Sequence, residues 1–273
     1  MSYACEVWGF CKAEQLDRMY LGFLKSILCV RKTVPTAFVY NELGLFPLII
    51  IRQLRILKYW FKILNMHDKN PIKIIYKLLV SDLEVNVGTQ NWVSLLKDML
   101  DQNGFGHVWI GQGVPNEKSF IHIFEKRIKD IFMQNNNTSI YGVSENRLFP
   151  YLQHAHETAH YLVFIKEKYI RVALTKFRLG SHNFMIERGR WEKPKTEFLQ
   201  RVCDTCNKVE DEFHIVFNCS KFNNLRKQHI NLSFVQNPSM YKLIELINSE
   251  DEIIVRKLGI FLHKVFKIYD GSI

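Results

Sequence analysis

Residues 47–64 read Pro47-Leu-Ile-Ile-Ile-Arg-Gln-Leu-Arg-Ile-Leu-Lys-Tyr-Trp-Phe-Lys-Ile-Leu64. At about 100° per residue, Ile50, Leu54, Leu57, Phe61 and Leu64 gather on one side of a helix, and Arg52, Arg55, Lys58 and Lys62 form a stripe on the other. The same periodicity recurs on both sides of this stretch. Upstream, Leu16, Met19, Tyr20, Phe23, Leu24, Ile27 and Leu28 recur at three- and four-residue steps and predict a helix from about Lys12 to Val30. Pro35 interrupts it, a short helical segment from Thr36 stops at Gly44, and Pro47 stands where a missing amide hydrogen costs nothing. Downstream the pattern weakens between Ser81 and Gly113. There Asn91 predicts the cap of a helix through Leu100, while Asn103-Gly-Phe-Gly106 and Gly111-Gln-Gly113 read as loop. Phe120, Ile121, Phe124, Ile128, Ile131 and Phe132 form the buried side of a helix over Asn116 to Gln134, and Asn135-Asn-Asn-Thr-Ser139 reads as a turn between two halves. Helical spacing resumes from Tyr161 to Leu179, stops near Gly180, and returns from about Glu252 to Tyr269. The expected fold is mainly α, with strand limited to a small hairpin, in segments 1–80, 81–150 and 151–273.

The 273 residues carry 37 Lys plus Arg against 27 Asp plus Glu, a formal charge of +10. A 47 % hydrophobic content with 13 Gly and 7 Pro excludes extended disorder, collagen-like structure and low-complexity arrays. The charge favours an anionic partner. It is concentrated: Arg52 to Lys77 nets +6 and Lys166 to Arg201 nets +6, leaving −2 for the remainder. Each window has a plain reading as a solvated surface and a sharper one as a phosphate contact. The amino terminus has neither the basic nor the apolar region of a secretory signal, and the apolar run at Leu45–Ile51 is far short of the roughly 20 residues that span a bilayer. An intracellular protein, nuclear or cytoplasmic, with no membrane partner and no small-molecule substrate is expected.

Of six cysteines, three fall in one window: Cys203-Asp-Thr-Cys206, followed by His214 and Cys219. A Cys-x2-Cys turn aims two thiolates at one point, and a returning His and Cys complete a tetrahedral site suited to Zn2+. His214 and Cys219 are five apart, which on a regular helix leaves them about 140° out of line, so Cys219 must leave such a helix. Four protein ligands leave no position for water, which makes the site structural. The alternative is a set of small hydrophobic packing residues. Phe198, Phe213, Phe217 and Phe222 lie nearby, as a local core or, for an exposed ring, a base-stacking platform. The zinc region spans about 198–225. Beside it, Lys176, Arg178, Arg188, Arg190, Trp191 and Arg201 offer cations and an aromatic plane of the kind nucleic acid uses.

A second pattern, His156-Glu-Thr-Ala-His160, matches the HExxH of zinc metalloproteases if it is helical, with Glu157 activating water. His182 and Glu187 are the available third ligands. The competing reading makes His154, His156 and His160 ordinary surface or half-buried polar residues.

Leu179-Gly-Ser-His-Asn183, Ile186-Glu-Arg-Gly-Arg-Trp191 and the Cys203, Cys206, His214, Cys219 set together resemble the carboxy-terminal zinc-binding region of reverse transcriptases from non-LTR (LINE-type) retrotransposons. Tyr3-Ala-Cys-Glu-Val-Trp-Gly9, Phe23-Leu-Lys-Ser-Ile-Leu28 and Val39-Tyr-Asn-Glu-Leu-Gly44 look like the segment after the polymerase palm in the same family, where the thumb lies. The resemblance implies a thumb-like helical segment over 1–80, a connector over 81–150, and a basic helical domain over 151–273 that holds RNA or DNA. Family polymerases need a Tyr-x-Asp-Asp or Phe-x-Asp-Asp turn, and this sequence has no Asp-Asp pair. The family's fingers and palm would lie upstream of Met1, so the expectation is a nucleic-acid-binding fragment without polymerase activity. A rival of a different class is an inert remnant of a decayed element; the remotest is the HExxH protease.

Overall fold

The computed structural model describes residues 3–10, 13–86, 88, 90–142, 148–152 and 156–271. It is mainly helical, with no strand among the described residues. The chain divides into two compact units. One comprises Met1–Tyr20 with Phe46–Asn135, and the other Leu21–Leu45 with Asn136–Ile273.

In the first unit the helices Cys5–Trp8, Leu48–Leu64, Pro71–Val85, Trp92–Gln102 and Gly106–Ile110 assemble with the early parts of Glu14–Ile27 and Glu117–Gly142. The predicted start of Glu14–Ile27 at Lys12 lies outside the described residues. Ile56, Leu57, Trp60 and Phe61 of Leu48–Leu64 are almost wholly buried with Leu96, Leu100 and Phe124. The Trp60 indole donates to the Tyr76 hydroxyl at 2.9 Å, which donates to Gln112 Oε1 at 2.6 Å, so the polar atoms at the centre of this core are paired. Asn91 and Ser94 form a capping box that fixes the start of Trp92–Gln102. The turn expected at 135–139 is instead helix, because Glu117–Gly142 runs on through it. Gly106, expected in loop, opens a five-residue helix.

In the second unit Lys168–Arg178 packs against Glu252–Tyr269. Ile170, Ala173, Leu174 and Phe177 of the first helix and Leu258, Phe261, Leu262 and Val265 of the second are almost wholly buried. Gly259 sets the distance of approach: a Cβ there would lie 2.3 Å from Ile170 Cγ2. The Thr36–Leu43 helix ends at Gly44 with φ 61°, the left-handed conformation that glycine adopts freely. A Cβ on Gly44 would also lie 2.5 Å from the Thr158 nitrogen. Gly44→Ala is therefore expected to destabilise by about 2 kcal/mol or more, read as a shift in urea midpoint at unchanged m-value.

Candidate metal centre

A tight turn brings the first two cysteines together. Val202 bridges Val209 in antiparallel fashion, and the Glu210 amide donates to the Arg201 carbonyl at 2.9 Å. Within the turn the Cys203 amide donates to the Lys208 carbonyl at 2.8 Å and the Asn207 amide to the Cys203 carbonyl at 2.8 Å. Asn207 takes φ 50°, a conformation asparagine tolerates better than most residues. The expected hairpin is thus reduced to a single bridge.

The other two ligands sit on a widened helical turn. Asp211 Oδ1 accepts from the His214 amide at 2.8 Å, residues His214–Asn218 form a π turn, and the Cys219 amide donates to the His214 carbonyl at 2.7 Å. An i to i+5 bond enlarges the turn beyond 3.6 residues, so residues five apart approach the same face. This resolves the misalignment that a regular helix would impose on His214 and Cys219. Arg226, buried at 4 % exposure, reaches the carbonyls of this turn: Nε donates to Val216 at 2.7 Å and Nη2 to Cys219 at 2.7 Å.

Ligand atoms of Cys203, Cys206, His214 and Cys219 all lie within 4.8 Å of one another. Cys219 Sγ is 3.8 Å from Cys203 Sγ and 3.9 Å from Cys206 Sγ. Two metal–sulfur bonds of about 2.3 Å at a tetrahedral angle place sulfurs about 3.8 Å apart, whereas a disulfide requires about 2.05 Å. The three thiols are free. The Ser220 hydroxyl and amide, at 3.3 Å and 3.5 Å from Cys206 Sγ, lower that thiol's pKa, while burial pushes the Cys219 thiol up to about 12. Burial also lowers the His214 pKa and favours the neutral imidazole that binds metals. His214 Nε2 is buried without a hydrogen-bond partner, an orphan that a metal ion would satisfy. The group can hold a metal ion, and its donors fit a soft or borderline one.

The predicted nucleic-acid contacts separate into two groups. Arg52 is 1 % exposed and grips Asp17 through two bonds of 3.1 Å, so it is removed from the basic stripe; Arg55, Lys58 and Lys62 remain exposed. Arg178 is buried against Glu42, and Arg201 is buried with its guanidinium on the carbonyls of Thr196 and Ile186. Both act inside the fold. Arg190 pairs with Glu187 at 3.0 Å and is largely covered, whereas Arg188 and Trp191 are exposed and Lys176 is partly so. Of the four phenylalanines, Phe217 and Phe222 are core, Phe213 is half-buried and Phe198 is 44 % exposed.

The HExxH segment is not helical. His156 and Glu157 lie on a bend, and the helix starts only at His160. The segment instead satisfies the end of Thr36–Leu43: the Ala159 amide bonds the Glu42 carbonyl, Thr158 Oγ1 the Leu43 carbonyl, and His156 Nε2 the Leu45 carbonyl, each at 2.9 Å. Without the helix, the two histidines have no shared face. Among the described residues neither joins a group of three or more metal-ligating side chains; His154 lies outside them.

From the sequence, Arg226 is one of the flanking cations, with Arg201, Lys208, Lys221 and Lys227, that would screen the charge of a zinc site and could contact phosphates. Its burial on the short Asn223–His229 helix, which the neighbouring Lys227 does not share, is what the sequence hides. Neither a protein-family model, nor a curated protein, nor a solved structure matches this chain.

Proposed function

We propose that this chain is a nucleic-acid-binding fragment of a retrotransposon-derived reverse transcriptase, without the polymerase palm, in which Cys203, Cys206, His214 and Cys219 hold one structural Zn2+. The observation that carries the reading is the Cys3His cluster within 4.8 Å, in a chain of charge +10. Thiolate and imidazole donors favour zinc over harder cations. With four protein ligands, the zinc would contribute folding free energy and no site for catalytic water. The sequence blocks that resemble those of non-LTR elements support the origin, and the absence from this sequence of a Tyr-x-Asp-Asp or Phe-x-Asp-Asp turn argues against the Mg2+ chemistry that polymerases of that family use.

The partner is RNA, DNA or both, bound through Lys and Arg that neutralise phosphates. Filter binding with a labelled RNA and a DNA of equal length is expected to give affinity that falls at least tenfold between 50 and 200 mM salt, on the order of what three or more phosphate contacts produce. Absence of any salt-sensitive affinity for either overturns the reading. Primer extension by the purified chain with template and Mg2+ is expected to be undetectable, and any elongated product would overturn the non-enzymatic assignment.

A further inference from the structure

Between Lys168–Arg178 and Glu252–Tyr269 lies an open groove of about 560 Å3, edged also by Cys29. Ala173 and Phe266 form part of its apolar floor, and Lys168, Lys176 and Lys267 stand around it. On one wall the Tyr169 and His263 rings meet with centroids 4.8 Å apart and planes at 54°. Tyr169 is 46 % exposed.

The pairing of cations on these helices is uneven. Arg171 is tied to the carbonyls of Ile165 and Lys166, Arg178 to Glu42, and Arg256 to Glu167. The three groove lysines have no ion pair among the described residues. The one carboxylate lining the groove, Asp270, accepts from Asn183 Nδ2 at 2.7 Å. Uncompensated ammonium groups around an apolar, ring-bearing concavity complement a chain of phosphates with an unstacked base between them. A duplex offers the phosphates but keeps its bases stacked.

We infer that this groove binds single-stranded nucleic acid, with phosphates on Lys168, Lys176 and Lys267 and a base against the Tyr169–His263 ring pair. The inference rests on the nucleic-acid reading above and gives it a location and a strandedness.

The test uses the full chain, a fluorescein-labelled single-stranded oligonucleotide and the same oligonucleotide annealed to its complement. A Lys168→Gln/Lys176→Gln/Lys267→Gln variant is expected to bind the single strand about tenfold or more weakly at 0.1 M salt, with a log–log salt slope shallower by about 2. Tyr169→Ala is expected to weaken single-strand binding about fivefold or more with the slope unchanged, and to leave duplex affinity alone. Far-UV circular dichroism and metal content serve as folding controls, and all substituted side chains are at least partly exposed. If the wild-type chain binds and the triple variant binds equally well, the groove is overturned while the general reading stands. If the triple variant weakens but Tyr169→Ala changes nothing, the single-strand assignment is overturned. If the wild-type chain binds neither oligonucleotide, both readings fall together.

Discussion

Cys219→Ser is expected to leave the purified chain without zinc, and the wild-type chain is expected to carry one ion per molecule, both read by elemental analysis. Cys219 is fully buried, and its sulfur is central to the cluster, 3.8 Å and 3.9 Å from the other two. A serine hydroxyl preserves shape but is a far poorer zinc ligand than a thiolate. Apparent free energies of structural zinc binding in small peptides are on the order of 10 kcal/mol, so loss of the ion exceeds any other single change expected in this chain. The damage should centre on residues 201–226. There the ion would tie the Cys203–Cys206 turn to the π turn at His214–Asn218, and in the variant two thiols and an imidazole are left together without it. Amide exchange in this segment is expected to rise by several orders of magnitude on mutation or on treatment with a chelator, with much smaller changes in residues 48–64. Cys29→Ser, at a cysteine outside the cluster, serves as the control. Retention of a full equivalent of zinc by Cys219→Ser would remove Cys219 from the ligand set, and a second equivalent dependent on His156 would restore the metalloprotease reading.

Helices were legible wherever the 3.6-residue period was strong. Glu252–Tyr269 begins and ends at the residues its apolar spacing indicates, and Gly44 ends its helix as a glycine at that position should. The misreadings share a cause, which is that one element's pattern does not report what packs against it. Arg52 falls on the polar stripe of Leu48–Leu64, yet Asp17 from a separate helix supplies a carboxylate and draws it inside. The asparagine-rich stretch after Gln134 has poor helix propensity, but Asn136 is buried with its amide on the Ala37 carbonyl, and tertiary packing overrides the local preference. His156-Glu-Thr-Ala-His160 fits a helical motif by letters alone, while the exposed carbonyls at the end of Thr36–Leu43 recruit it into an extended cap.

The four candidate ligands were legible because their spacing is itself the constraint. The flanking cations were legible as screening charges, but the burial of Arg226 among them was not. With Zn2+ bound, three thiolates would leave the centre at −1, and Arg226 supplies a buried positive charge with no carboxylate in ion-pair range among the described residues. Burial lowers its pKa, and the Cys219 and Cys206 charges oppose that change. One side chain therefore fills the carbonyls of the π turn and offsets the charge of the ligands that the turn presents. Three arginines first read as surface contacts, Arg52, Arg178 and Arg201, are likewise bound within the fold. The basicity exposed at the surface is correspondingly narrower than the composition suggests.

Arg178 is the costliest of these to remove. Its guanidinium sits at 6 % exposure on Glu42 at 2 % exposure, with Nε to Oε1 at 2.6 Å and Nη2 to Oε2 at 3.3 Å. The Tyr161 hydroxyl donates to the same Oε1 at 2.8 Å, and burial beside Glu42 raises the tyrosine's pKa far above its ordinary value. Arg178 also reaches the Ile247 carbonyl and Asn248 Oδ1, tying Lys168–Arg178 to the end of Met240–Ile247. Arg178→Met keeps the aliphatic stem and deletes the charge, leaving a buried carboxylate with only hydroxyl support. The expected loss is about 3–5 kcal/mol, seen as a lower urea midpoint. Glu42→Gln/Arg178→Met, which removes both charges, is expected to recover at least half of it, because the larger part of the cost is the stranded carboxylate rather than the attraction. A double variant no more stable than Arg178→Met would mean that the lost packing and carbonyl contacts dominate. If Arg178→Met itself cost less than about 1 kcal/mol, the pair would behave as a solvent-screened surface bridge, contrary to its burial.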